Sequence, residues 1–111
     1  MKYRSLSQIS GEPVSHNPEI TKQVMLRSTD VPHLTNFSQA RFAPGQSAVA
    51  HSHADMYEVF FVEAGIGEIR INGESYALLP GTCVAVEAGE LHEVLNTGNV
   101  DLVLTYFGIS V

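Results

Sequence analysis

Only one cysteine, Cys83, occurs in the 111 residues, so no internal disulfide can form and a reducing compartment is the natural setting. Basic residues are scarce too: six Lys and Arg stand against twelve Asp and Glu, for a formal net charge of −6. The deficit is uneven. From Asp55 onward nine acidic residues meet Arg70 alone, a net of −8, while the residues before it carry +2. With no basic stripe on which a phosphate backbone could lie, nucleic acid is excluded as an expected partner. Apolar runs of membrane-spanning length are missing, and the N-terminal stretch MKYRSLSQISGEPVSHNPE has basic residues but no apolar segment. A soluble, cytoplasmic protein without membrane attachment is therefore expected. Amphipathic helical periodicity is absent as well, which predicts little helix.

What is present belongs to a folded domain. Apolar residues make up 44% and charged residues 16%, a profile that buries a core, and the length suits one domain and not two. Residues 1–19 are polar, contain Gly11, Pro13 and Pro18 and show no period, which predicts an extended arm. Residues 20–111 then form the domain. Its strands are expected at 20–27, 34–43, 49–53, 57–63, 68–72, 74–79, 82–86, 92–96 and 101–108, separated by Gly, Pro and Asn. Asn72-Gly73 is the strongest hairpin signal, since a two-residue type I′ turn needs positive φ at both positions. Many short strands punctuated in this way predict an all-β, antiparallel jelly-roll barrel, which buries one face of every strand and leaves few edges unpaired.

Within this frame His51 and His53 are separated by one residue, so on a strand they share a face and can converge on one point. Glu58 lies on the next strand, and His92 opens a later one after a glycine-containing turn. Three imidazoles and a carboxylate turned into one barrel suit a divalent first-row ion: Mn, Fe, Ni, Co, Cu or Zn. Such a set leaves coordination positions open for water or substrate, unlike a closed structural site.

At these positions the sequence resembles the cupin superfamily. Its first motif, G-x5-H-x-H-x3,4-E-x6-G, is matched by Gly45, His51, His53, Glu58 and Gly65. The second, G-x5-P-x-G-x2-H-x3-N, is matched by Gly81, Gly89, His92 and Asn96, with Glu87 in place of the proline. The resemblance implies a small jelly-roll barrel in which His51, His53, Glu58 and His92 ligate a metal, and commonly a homodimer. The departure at Glu87 implies a less rigid, more acidic turn before His92.

Other side chains receive plainer readings. Phe60 and Val62 share the face of Glu58 and are expected as pocket wall or core. Tyr57, Arg41 and Tyr106 are candidate hydrogen-bond donors to a ligand, with packing or surface roles the plainer alternative for each. His16 and His33 lie outside both motifs and are expected as surface or loop histidines. Cys83 is expected as a small buried side chain, and Asn96 as a turn or strand-end stabiliser through backbone bonds. The resemblance implies a small metal-dependent enzyme, of dioxygenase, oxidase or isomerase type, acting on a small oxygenated molecule, with Glu58 a candidate proton acceptor. A non-catalytic module that binds or senses a small molecule is the alternative.

Overall fold

The computed structural model describes residues 1–111 and contains ten strands and one short 3-10 turn, Leu6–Gln8. The strands are β1 (Glu12–Val14), β2 (Asn17–Arg27), β3 (Leu34–Phe42), β4 (Ser47–His51), β5 (Met56–Ala64), β6 (Gly67–Ile71), β7 (Glu74–Leu78), β8 (Cys83–Val86), β9 (His92–Asn96) and β10 (Leu102–Ser110). They form a six-stranded sheet in the order β1-β2-β3-β10-β5-β8 and a four-stranded sheet in the order β4-β9-β6-β7. Every strand pairing is antiparallel. This is the expected jelly roll. No helix is long and apolar enough to cross a membrane.

Alternation along the strands builds the core. In the six-stranded sheet one inward row runs Lys22, Ala40, Leu104, Val62, and the next runs Val24, Ser38, Tyr106, Phe60, Val84. Opposite them the four-stranded sheet contributes Ala48, Ile69, Leu78 and Val94 to the same apolar cluster. Burying a side chain such as Leu or Ile is worth about 1.5–3 kcal/mol, so these rows dominate the stability of the fold. The Asn72-Gly73 turn joins β6 to β7 with both φ angles positive, 50° and 87°, as the hairpin signal requires.

Two sequence expectations change. The 1–19 segment is not wholly an arm, because β1 and the start of β2 lie inside it and pair with each other. Pro13 masks this in the sequence, yet β1 is an edge strand, where a missing N–H breaks no second ladder. The rest of the arm lies on its own domain, where Gln23 Nε2 donates to the carbonyls of Leu6 and Ile9, both at 2.9 Å. Cys83 is exposed rather than buried: it opens the edge strand β8 in register with Phe61, whose ring faces outward.

Candidate metal centre

The four motif side chains arrive from separate elements. Strict alternation from the buried Ala48 would turn His51 outward. A bulge between Ala48 and His51 inserts one residue into β4, leaves Val49 and Ala50 exposed and brings His51 into register with His92. His53 lies just beyond the end of β4. Its carbonyl accepts the Gly89 N–H at 2.8 Å, which ties the turn of the second motif to the histidine pair of the first. Gly89 takes φ +86°, a left-handed conformation that favours glycine. Where the motif has proline, the Glu87 N–H donates to Glu90 Oε1 at 2.8 Å, and the Glu90 N–H donates back to the Glu87 carbonyl at 3.1 Å. The turn that the sequence predicts to be less rigid is thus closed by a bond that proline cannot make.

Glu58, from β5, is 7% exposed and His92 2%. Glu58 Oε1 lies 3.1 Å from His92 Nε2 and 3.3 Å from His53 Nε2. One ligand atom from each of His51, His53, Glu58 and His92 falls within 4.8 Å of all the others. An ion about 2.1 Å from each donor needs donor separations of roughly 3–4.3 Å, so a contraction of about half an ångström closes the set on a metal. Two imidazoles are oriented for that role. His51 Nδ1 contacts the Val49 carbonyl at 2.7 Å and His92 Nδ1 the Glu90 carbonyl at 3.0 Å, which leaves each Nε2 for the ion. The residues fit a metal ion.

Electrostatics separates the histidines. Burial pulls the His51 imidazole below its ordinary 6.5, against the bond to Val49. Burial also pulls His92 down, but its bonds to Glu58 and Glu90 and the charges of both carboxylates hold it above 6.5. The contacts give the reason. With Nδ1 donating to a carbonyl and Nε2 facing a carboxylate that only accepts, His92 satisfies both as an imidazolium. An ion at Nε2 replaces that proton.

A cavity of about 140 Å3 opens onto the ligand set. Of the sequence candidates, Phe60 and Tyr106 line it, their rings stacked at 5.5 Å. Burial, with the charge of Glu58, pushes the Tyr106 hydroxyl up to about 12, so it faces the cavity as a neutral donor. Val62 shares the Glu58 face as expected but lies two alternations further along β5, fully buried in the core and away from the cavity. Tyr57 and Arg41 sit at alternate positions that point outward and line no part of it.

His33 is an exposed loop residue, as expected. His16 is exposed in the β1–β2 turn, yet its ring stacks on His51 with centroids 3.7 Å apart and lines the cavity. Burial and the neighbouring His53 lower its pKa from 6.5. Lys22 and Asn36 also line the cavity and were not among the candidates. For Lys22 the signal was present, as the centre of the alternation Ile20, Lys22, Val24. For His16 and Asn36 no sequence pattern points to the cavity.

Comparison with known proteins agrees with this geometry. A family model described as Cupin domain matches residues 38–108. An oxalate-binding protein from Thermotoga maritima is 32% identical over 66 residues, a match covering 60% of this chain and 54% of that protein. The chain thus spans about half the length of this curated relative. A crystal structure of a predicted oxalate decarboxylase from Thermotoga maritima superposes with a TM-score of 0.90 at 24% identity, covering 96% of this chain and 97% of that one. The polyketide cyclase RemF from Streptomyces resistomycificus gives 0.82 at 18% identity, over 99% and 79%.

Proposed function

The chain belongs to the Cupin domain family, and from that premise we propose that it is a small metal-dependent enzyme, of dioxygenase, oxidase or isomerase type, acting on a small oxygenated molecule. One observation carries the reading: three imidazoles and a carboxylate converge at the wall of a cavity that is open to them and lined elsewhere mainly by apolar side chains. A volume of about 140 Å3 suits a ligand of a few heavy atoms. His51, His53, Glu58 and His92 would hold Mn, Fe, Ni, Co, Cu or Zn, and a bound ion would supply Lewis acidity toward a ligand oxygen.

The chain's own groups divide the remaining work. Tyr106, its hydroxyl pushed up to about 12, would offer its O–H to a ligand oxygen and does not act as a base. Phe60 and Tyr106 exclude water from one wall. Glu58 is the one carboxylate on the cavity wall and the candidate proton acceptor.

Metal analysis of untagged wild type and His53→Ala tests the ligand assignment, and equal metal content in both would refute it. A second reading, a binding module without turnover, is favoured by the relative described as oxalate-binding. Oxygen uptake and product formation across diketones, phenolics, organic acids and sugars separate the two, since turnover at enzymic rates rejects the module. The reading includes a homodimer. The outer face of the six-stranded sheet carries Phe61 and Ile109, 41% and 43% exposed, beside Phe107 and Val59, and sedimentation analysis of Phe61→Glu tests whether that face pairs two copies.

A further inference from the structure

Lys22 occupies an inward position of a barrel wall. Its neighbours in the β2 alternation, Ile20 and Val24, are 0% and 8% exposed. Its register partner is Ala40, which continues the buried row through Leu104 to Val62. Lys22 itself is half-buried, so part of its side chain is removed from water among these apolar residues, and an anion beside its ammonium offsets the hydration lost. No anion of the chain pairs with it directly. Despite twelve carboxylates in the sequence, none lies within 4.0 Å of Lys22.

The carboxylate across from it in register, Glu12, is instead held by Arg27 at 2.6 Å. Lys22 is also the one Lys or Arg on the wall of the cavity that holds His51, His53, Glu58 and His92. A purely structural lysine would run its stem along the wall and release its charge to water at the mouth.

We propose that Lys22 is the anion anchor of this cavity, pairing with a carboxylate of a small ligand whose other oxygen atoms reach the histidine and glutamate group. The inference rests on the metal-dependent reading above and narrows its substrate class from oxygenated molecules to small carboxylates. Apolar walls around a single ammonium select one charged end, and the volume of about 140 Å3 excludes long chains. Lys22 is then a specificity-determining residue that touches ligand, and it leaves the metal to the four motif side chains.

The test titrates oxalate and its neutral isostere oxamide calorimetrically into metal-loaded wild type, Lys22→Met and Lys22→Arg, with metal content and thermal unfolding recorded for each. Methionine keeps the apolar stem and removes the charge. Oxalate affinity is expected to fall about 10- to 100-fold in Lys22→Met, the range of a charge-assisted bond, and to be partly retained in Lys22→Arg. Metal content stays at the wild-type level, oxamide binding does not change, and Lys22→Met unfolds at the same or a higher temperature because an unpaired charge has left the wall. Equal oxalate affinity in wild type and Lys22→Met overturns the anchor. Metal-loaded wild type that binds none of oxalate, malonate and pyruvate overturns the carboxylate class and leaves the metal centre standing. A wild type that takes up no metal overturns the proposed function, and the anchor with it.

Discussion

Replacing Asn96 by alanine should unfold the barrel far more readily without touching its chemistry. Asn96 is a fixed position of the second motif, which tempts a reading as a ligand or substrate residue. Its side chain is 4% exposed, on the same inward face of β9 as His92 but two alternations further along and outside the cavity lining. Nδ2 donates to the Phe42 carbonyl at 2.9 Å and the Val100 carbonyl at 2.8 Å, while Oδ1 accepts the Gly98 N–H at 2.8 Å. Asn96 thereby joins the end of β3 to the turn between β9 and β10.

Each bond contributes about 1 kcal/mol net, and the loss leaves the buried Phe42 carbonyl without that donor, so Asn96→Ala should cost roughly 3–4 kcal/mol. For a domain of this size that lowers Tm by roughly 10–25 °C. Asn96→Asp should be at least as damaging, since an acceptor would then face two carbonyl oxygens. Urea unfolding of the metal-free protein reads the loss as a lower midpoint with an unchanged m-value. Metal bound per folded molecule, measured well below the midpoint, should match wild type. A cost under about 1 kcal/mol, or loss of metal with stability intact, would refute this reasoning.

Metal affinity should fall on acidification in two stages. His92 is held above 6.5 and protonates first, while burial keeps His51 neutral to lower pH, so the loss of affinity starts above pH 6.5 and steepens below it. Chelator competition at a series of pH values checks this, and a flat profile from pH 8 to 6 would contradict it. The sign for folding is opposite at the two residues. In the metal-free protein His92 adds stability that is full below pH 6.5 and lost as pH rises through its raised value, whereas the contribution of His51 is present above 6.5 and lost as pH falls through its depressed value. Cys83, exposed on an edge strand, should react with a thiol reagent in the folded protein as fast as in the denatured one at equal pH, and native-state protection would contradict that exposure.

The primary sequence determined the class of fold through short-range periodicity, and the identity of the four candidate ligands through the motif spacings that resemble the cupin superfamily. Alternation, Gly and Pro punctuation and Asn72-Gly73 are local signals, and the motif spacings place His51, His53, Glu58 and His92 at strand ends where a barrel makes them converge. Tertiary structure decided what long-range register controls. The bulge before His51 turns it inward, which two-residue alternation from Ala48 would not. Register against β3 and β10 sends Arg41 and Tyr57 outward and moves Val62 into the core, while Tyr106 and Phe60 remain at the cavity. Only the folding back of the β1–β2 turn lays His16 on His51. Pairing across the sheet sets the half-buried Lys22 in the row of Ala40, Leu104 and Val62 and leaves the carboxylate that faces it, Glu12, to Arg27. A strand's own sequence says which residues share a face; its partners decide which face is inside, how far along the wall each residue sits and what lies opposite it.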